Sequence, residues 1–554
     1  MTEGLAEALR ATGLFAPERL ARIELAIPRD PAHGDWTTNL PLILARETGR
    51  APRAVAELLA AAFPRDAERF SSVEVAGPGF LNFRYSPAFL GWLPGRIRAE
   101  GETFGRSGGG EGQSIQVEYV SANPTGPLNV VSARAAAVGA ALVRLLEATG
   151  HRTAGEFYVN DMGSQVDLLG ESLAARFGER MGRPRPFPEN GYQGAYLHEL
   201  AAALPETEGR AALESPQALT WFRDQALERM VESQRRDLAD YGVRLDLFFR
   251  ESTLHHSGAV TETLEQLVQR GVVYEAESAR WLKTTQFGDD KDRVVVRANG
   301  QPTYLLPDIA YHRDKRRRGF RHSIDLWGPD HHGHILPLRA SLGALGLEPD
   351  FLEVLIVQQV NLLSGGAPVK MSKRSGEFIT LRDLMEEVGT DCAKFFFLLR
   401  STSAHLDFDL DLAKRQSDEN PAYYVQYAHA RIASILRFAD ERGLEPDPSG
   451  APLDAPSRME EAELRLVRKL AAFPEVVRGA AIAREPHRLP TYLMETAAEF
   501  HRFYHVCRVV SEDAVRSRHR LGLAEAARIV LSNGLALLGV SAPERMERGV
   551  EVGP

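Results

Sequence analysis

The sequence predicts an α/β chain: a parallel-sheet domain with a smaller α+β domain before it and an all-α domain after it. Three observations predict this. Between residues 115 and 360, short runs of β-formers alternate with helical periods, the rhythm of β-α-β units. A hairpin pattern around residue 78 closes an earlier unit, ahead of a glycine-rich linker. From about residue 412 nearly every segment has helical period. At 554 residues the chain also exceeds the roughly 250–300 at which single cores stop growing, so several domains are expected.

Taken in order, Leu5 to Leu14 reads as an amphipathic helix and Ile23 to Ile27 as a strand. His33-Gly34-Asp35-Trp36-Thr37-Thr38-Asn39 follows, and Asn39 begins another helical pattern. Val73 to Phe83, turning at Gly77-Pro78-Gly79, reads as a hairpin. Gly105 to Gly112 is a flexible linker, so the first domain spans 1–106. The second spans 113–411. It opens with a strand at Ile115 to Val120, the turn-rich Ser121 to Pro127, a helix at Val130 to Ala148 and a strand at Glu156 to Val159. Residues of about 165–285 read as a mostly helical insertion, because sheet signals resume only near Val294-Val295-Val296 and at Ser323 to Trp327. Val354 to Val360 is a late buried strand leading to Lys370-Met371-Ser372-Lys373-Arg374. The helical domain is 412–554, with a loop at Asp447-Pro448-Ser449-Gly450.

Composition narrows the class. A hydrophobic share of 44% and a charged share of 25% are those of a soluble globular protein. No run approaches the ~18 apolar residues of a membrane span, and the N-terminus lacks the basic and apolar regions of a signal peptide. Cys392 and Cys507 lie far apart in apolar helical contexts and read as reduced thiols, which points to the cytoplasm. The net charge of −9 neither supports nor excludes RNA, because phosphate attraction depends on local patches.

Several segments could carry chemistry. From Glu118 to Arg134 a strand end, a loop of small residues and a helix N-terminus offer N–H groups and a positive dipole end to an anion. On these residues alone an ordinary βα turn is favoured, since no glycine fingerprint is present. The lysine loop, with glycines on both sides, suits a polyphosphate; the plain alternative is a solvated basic loop. His331, His332 and His334 invite a zinc or metal-hydrolase reading, but zinc needs further ligands, so substrate-lining imidazoles are preferred and no protein metal site is expected. Tyr304, Asp308, Tyr311 and His312 recur at helical spacing; an inward Asp308 needs a cation, whereas an outward one is a helix cap. Basic and aromatic residues mingle at Arg313 to Arg321 and at His501 to Arg520, which suits RNA or a solvated face.

Together and in order, these segments resemble bacterial arginyl-tRNA synthetases, class I enzymes, over essentially the whole chain. The carriers are Val117 to Leu128 (VEYVSANPTGPL), Phe157 to Gln165 (FYVNDMGSQ), Tyr304 to Ala310 (YLLPDIA), the lysine loop, Asp418 to Arg431 (DENPAYYVQYAHAR) and Leu538 to Met546 (LGVSAPERM). The resemblance implies a Rossmann-like catalytic domain, an N-terminal domain that touches the tRNA body and a C-terminal anticodon-binding domain. It implies a monomer that joins L-arginine to tRNA(Arg) with ATP, Mg²⁺ being carried by the nucleotide. By position, arginine falls to Glu118, Ser121, Asn123, Tyr304, Asp308 and His331. ATP falls to Pro124, Thr125, Gly126, Asn129, Val131, Ser132, Gly328, Asp330, Met371 and Lys373, and tRNA to Tyr424, Tyr427, His429, Arg431 and Met546. Catalysis falls to Asn129, Ser132, Lys370 and Lys373.

One signature departs from the family's pattern. Where the family usually shows His-Val-Gly-His or a similar tetrad, this chain has Asn129-Val130-Val131-Ser132. One consequence is a catalytically weakened or silent paralogue that binds tRNA or arginine. The favoured expectation is retained activity, because adenylate formation depends on positioning and charge stabilisation. An amide N–H₂ at Asn129 and a hydroxyl at Ser132 can still donate to phosphate oxygens.

Overall fold

The computed structural model describes residues 1–14, 23, 25–28, 30–64, 66–369, 379–447 and 459–546. The chain divides into two compact units, one of Met1–Gly109, Ala148–Gly150 and Arg415–Pro554, the other of Gly110–Glu147 and His151–Lys414.

The first unit begins with α1 (Thr2–Ala11), β1 (Trp36–Thr38), α2 (Leu40–Thr48), α3 (Pro52–Ala62), β2 (Phe70–Ala76), β3 (Phe80–Tyr85) and α4 (Pro87–Glu100). Its strands form an antiparallel sheet in the order β1-β3-β2. Phe63 and Phe83 pack at 5.1 Å and Phe70 stacks on Tyr85 at 5.7 Å, so the core of this part is aromatic. Of the strand expected at Ile23 to Ile27, the described residues show one pairing, Ala26 with Thr37. Pro28, which lacks an N–H, follows directly and cannot extend a ladder.

The second unit contains a parallel sheet in the order β11-β10-β4-β5-β6. Its strands are β4 (Ser114–Glu118), β5 (Arg152–Val159), β6 (Leu247–Arg250), β10 (His322–Trp327) and β11 (Leu352–Ile356). α5 (Val130–Ala148) joins β4 to β5, and Gly139 lets it lie close, since a Cβ there would stand 2.2 Å from Tyr119. Between β5 and β6 come α6 (Ser164–Arg180), α7 (Tyr196–Ala202), α8 (Glu206–Glu214) and α9 (Ala218–Asp240), packed around Leu169, Phe177 and Phe222. After β6 follow α10 (Glu251–His256) and α11 (Ala259–Gln269), then β7 (Val273–Ala276), β8 (Ala279–Leu282) and β9 (Arg293–Val296), which make a separate antiparallel sheet. The parallel sheet therefore resumes at Leu247, and Val294 to Val296 belongs to the small sheet instead. α12 (Leu305–Arg317) precedes β10, and α13 (Ile335–Leu345) joins β10 to β11.

The single strand expected at Val354 to Val360 is two, β11 and β12 (Val360–Ser364). β12 forms a hairpin with β13 (Ala367–Pro368), whose turn at Gly365 and Gly366 has φ of +59° and +75°, values that favour glycine. Then come α14 (Leu381–Val388), α15 (Thr390–Phe397), β14 (Leu406–Asp409), which pairs parallel with β12, and α16 (Leu410–Lys414). Lys370 to Arg374 and Pro448 to Gly450 lie outside the described residues.

The first unit is completed by α17 (Pro421–Asp440), α18 (Glu461–Ala471), α19 (Phe473–Ala483), α20 (Arg488–Val506) and α21 (Ala514–Leu538). Asn420 caps α17 by accepting from the Ala422 and Tyr423 N–H groups. α21, of 25 residues, is apolar enough by length and composition to cross a membrane, although no unbroken apolar run in the sequence is that long. Its apolar positions, including Leu521, Val530, Leu531 and Leu535, are buried in the unit's core. Asn533 on the same helix donates to Gly101 O at 2.9 Å and Phe104 O at 3.0 Å, which ties the helices to the N-terminal part. The cysteines are both thiols, Cys392 half-buried and Cys507 buried.

Candidate active site

The order of strands reverses beside β4, where an open parallel sheet leaves a crevice at its carboxyl edge. Glu118 is the last residue of β4, and its register partner on β10 is Asp325, so two carboxylates stand side by side. Such a pair needs a cation between its members. Fully buried Lys315 of α12 supplies it. Its Nζ donates to Glu118 Oε2 at 2.8 Å, Asp325 Oδ1 at 2.9 Å and Ser323 Oγ at 3.2 Å. His312 Nε2 adds a contact to Asp325 Oδ2 at 2.9 Å. Burial pushes the Glu118 carboxyl up, and Lys315 reverses only part of that. Burial acts the same way on Asp325, but Lys315 and His312 outweigh it and hold this carboxyl well below the usual range. Burial would also lower Lys315, yet the two carboxylates more than reverse it and its ammonium is raised.

Asp308 occupies the first turn of α12, and its Oδ2 lies 2.8 Å from His334 Nε2. Glu251, which the sequence reading missed, opens α10 just after the edge strand β6. Asp161 fixes that helix start by accepting from Ser252 N at 2.8 Å and Ser252 Oγ at 2.6 Å. Burial raises the Glu251 carboxyl, and the charge of Asp308 adds to it against partial relief from Tyr158 and His255. The Tyr158 hydroxyl lies beside Glu251 but without a well-aligned hydrogen bond. Burial drives this phenol far up, and after burial the charges of Glu251, Asp308 and Glu118 drive it further. One hydroxyl thus senses three carboxylates, which marks an acidic pocket. A planar cationic fork of donors fits such a pocket.

The signature loop begins with strained backbone. Val120 and Ser121 have φ of +73° and +37°, a costly region for a β-branched valine. The kink returns Ser121 to the pocket, where its Oγ donates to Glu118 Oε1 at 2.9 Å and accepts from Tyr158 N at 3.0 Å. At the start of α5, Asn129 Oδ1 accepts from Val131 N at 3.0 Å, Ser132 N at 3.1 Å and Ser132 Oγ at 3.4 Å. Asn129 is therefore the helix cap, held by the two backbone N–H groups with the Ser132 hydroxyl at the edge of reach. With the oxygen held by the helix, the amide Nδ2 takes no part in the cap. Fully buried Arg134, whose guanidinium burial lowers to about 10, donates to the carbonyls of Gln358 at 2.8 Å, Ala404 at 3.0 Å and Ser401 at 2.8 Å. It fastens α5 to the segment that leads through β12 toward Lys370.

Lys370, Met371 and Lys373 lie outside the described residues, but the chain that follows them is placed. Thr380 bridges Asn129, and Leu381 N donates to Leu128 O at 2.8 Å. The other candidates are more open. Tyr304 is 78% exposed, His331 and Asp330 are exposed on the turn after Gly328, and exposed Asn123 donates from Nδ2 to Gln165 Oε1 at 2.9 Å. Among the described residues no three His, Cys, Asp or Glu side chains converge as a metal site. Much of the basic run at Arg313 to Arg321 is engaged by the protein's own carboxylates. Lys315 is buried, and Arg313, Arg316, Arg317 and Arg318 pair with Glu262, Glu348, Asp314 and Glu156.

Within the first unit, α17 and α20 border a groove of about 1210 Å³. Tyr424, Tyr427, Arg431 and Met546 line it together with His501 and Tyr504. The Arg431 guanidinium stands 4.9 Å from the Tyr427 ring and 5.2 Å from that of Tyr504, and His501 lies 5.1 Å from Tyr424. Residues 424, 427 and 431 share one helical face. His429 lies on the other, where it is 3% exposed with Nδ1 2.9 Å from Pro543 O, so it supports the helix and does not face the groove.

Three family models match the sequence. They are the arginyl tRNA synthetase N terminal domain over residues 1–85, the catalytic domain of tRNA synthetases class I (R) over 100–395, and the DALR anticodon binding domain over 425–546. The chain is similar to the arginine–tRNA ligase of Moorella thermoacetica, 46% identical over 554 residues, covering 99% of this chain and 98% of the relative. It is similar also to that of Geobacillus kaustophilus, 44% identical over 550 residues, with coverage of 99% and 98%. Among solved structures, one described as a Campylobacter jejuni arginyl-tRNA synthetase superposes with a TM-score of 0.77 at 33% identity, covering 83% of this chain and 100% of that one. The Thermus thermophilus arginyl-tRNA synthetase superposes with a TM-score of 0.74 at 22% identity, covering 98% and 99%, and speaks for the fold.

Proposed function

The chain belongs to the class I arginyl-tRNA synthetase family and is an arginine–tRNA ligase, and on that premise we propose that Asp308 and Glu251 are the carboxylates that take the arginine guanidinium. The observation that carries this is that Asp308, on the first turn of α12, and Glu251, at the start of α10, both act on the buried Tyr158 hydroxyl, and the charge of Asp308 adds to the rise that burial gives Glu251. Glu118, already shared with Lys315, acts from behind: it holds Ser121 in place and adds negative charge. Asn123, Tyr304 and His331 complete the pocket once arginine is bound. ATP enters with Mg²⁺ on its phosphates, as substrate, against the loop Pro124-Thr125-Gly126, the α5 start and the Gly328–Asp330 turn.

The chemistry has two steps. A carboxylate oxygen of arginine bonds to the α-phosphorus, the bond to the bridging oxygen breaks, and pyrophosphate leaves with that electron pair. A hydroxyl of the tRNA 3′ end then attacks the adenylate carbonyl, loses its proton and expels AMP. Asn129 Nδ2 and the positive end of α5 meet the charge that develops at the α-phosphate. Lys370 and Lys373 meet the departing pyrophosphate, and Val131 offers adenine an apolar face. The groove of Tyr424, Tyr427, Arg431 and Met546 receives bases of the tRNA by stacking. We place the enzyme in the cytoplasm as a monomer.

Two experiments test this reading. Purified protein is expected to charge tRNA(Arg) with arginine and to reject citrulline, a neutral isostere of arginine. Charging with citrulline at a comparable kcat/KM would remove the case for a carboxylate pocket. Asn129→Asp separates capping from catalysis, because aspartate caps a helix as well as asparagine but offers no N–H₂. Thermal stability should hold while the activation rate falls by about 100-fold. A rate within a few-fold of the parent would show that the amide is only a cap.

A further inference from the structure

The loop Ser121–Pro127 has no regular structure, and the helices between β5 and β6 hold its carbonyls. Gln234 of α9, 1% exposed, donates from Nε2 to Asn123 O at 3.2 Å and Gly126 O at 2.9 Å. Three residues on, along the same helical face, Asp237 Oδ1 accepts from Arg382 Nε at 3.0 Å and Nη2 at 2.6 Å, and Asp240 accepts from Nη2 at 2.7 Å. Arg382 is the second residue of α14. The residues just before it, Thr380 and Leu381, pair with Asn129 and Leu128 at the far end of the same loop. The contacts close a ring from Gly126 through Gln234, Asp237 and Arg382 to Leu381 and Leu128.

We propose that α9 is a strut that sets the spacing between the signature loop and the chain that emerges from the lysine loop, so that Gln234, Asp237 and Arg382 are positioning residues for arginine activation. Each end of the ring touches a segment that the proposed function gives to ATP, and none of the three residues has to touch substrate. Both N–H bonds of the Gln234 amide go to loop carbonyls, which fixes the loop in two places. The outer link is of a different kind. Arg382 is 47% exposed and Asp240 59%, so that pair contributes little to global stability, whereas the pair that closes the ring reaches Asp237, which is 8% exposed. A displacement of about 1 Å at reacting groups costs rate on the order of 100-fold, so a slack ring is felt in turnover before it is felt in folding.

The inference rests on the arginine-ligase reading, and the test distinguishes the two. Arginine-dependent ATP–pyrophosphate exchange with tRNA present is measured for the parent, Gln234→Leu, Arg382→Gln, their double variant and Arg382→Lys. Each single variant is expected to lower kcat by about ten-fold, with the KM for ATP and for arginine changed much less. The double variant should lose no more than the worse single one, because one opening already slackens the ring. Arg382→Lys, which can still bridge a carboxylate, should recover part of the rate, and the melting temperature of Arg382→Gln, whose amide can still donate to buried Asp237, should fall only slightly while kcat falls by about ten-fold. Parental rates in both single variants, or losses that multiply in the double variant, overturn the strut. A parent that forms no arginyl-tRNA overturns the functional reading and this inference with it.

Discussion

Asp308→Ala should raise the KM for arginine by about 100-fold while kcat falls far less. The size follows from what the carboxylate faces. Its Oδ2 is held by His334 Nε2 at 2.8 Å, which leaves Oδ1 to a ligand, and its charge adds to the rise that burial gives Glu251. Removing one partner of a hydrogen-bonded ionic contact costs about 2–5 kcal/mol when the contact is buried. Asp308 is about one-third exposed, which places the expected loss in the lower part of that range. Asp308→Asn keeps the shape and can still accept from His334, so it should fall between parent and alanine and isolate the charge. Melting temperature should change little, because His334 is itself one-third exposed and can turn to water. An arginine KM within three-fold of the parent would remove Asp308 from the pocket.

What the sequence conveyed of this site depended on how local each signal was. The β4–α5 unit is local, and its boundaries at Val130 and Ala148 were legible from helical period alone. Asp308 was legible as a face of α12 shared with Tyr311 and His312, but the meaning of that face was not. Its next member, Lys315, sits inside a basic run that reads as solvated, and only the parallel pairing of β4 with β10 brings Glu118 and Asp325 to it. That pairing joins residues two hundred positions apart, which no window on the sequence contains. Glu251 was missed for a related reason. Its strand, β6, is an edge strand of only four residues, one exposed, two half-buried and one buried, so its apolar run is too short to stand out from the helices around it. Val294 to Val296 erred in the opposite direction: a run of valines reads as central parallel strand, yet it pairs antiparallel with β8. At the altered signature, composition suggested two phosphate donors. The geometry spends the Asn129 oxygen on capping, places Ser132 Oγ 3.4 Å from that oxygen, and leaves the amide nitrogen off the cap.

Lys315→Met should destabilise the protein by about 3–5 kcal/mol at pH 7, the cost of leaving buried carboxylates without their cation. Methionine fills nearly the same space, so the loss is electrostatic and not a cavity. Glu118 and Asp325 are register partners, and without the ammonium they face one another, with His312 Nε2 still 2.9 Å from Asp325 Oδ2. The pH dependence fixes the sign. Asp325 is held below its ordinary range in the fold, so the stability it contributes is present above the carboxylate range near pH 4 and is lost as pH falls below it. Lys315 is raised, so its share is present below its ordinary range near pH 10.5 and is lost as pH rises past it. The variant has neither share, and its Glu118, already raised by burial, protonates more readily still. The gap between parent and variant, measured by urea unfolding, should therefore be widest near neutral pH and narrow as pH falls toward 5. Adding Asp325→Asn to the variant should recover part of the loss at pH 7, since it removes the repulsion. A loss below about 1 kcal/mol, or a gap that widens toward acid, would mean that Lys315 packs at this position without holding the two carboxylates together.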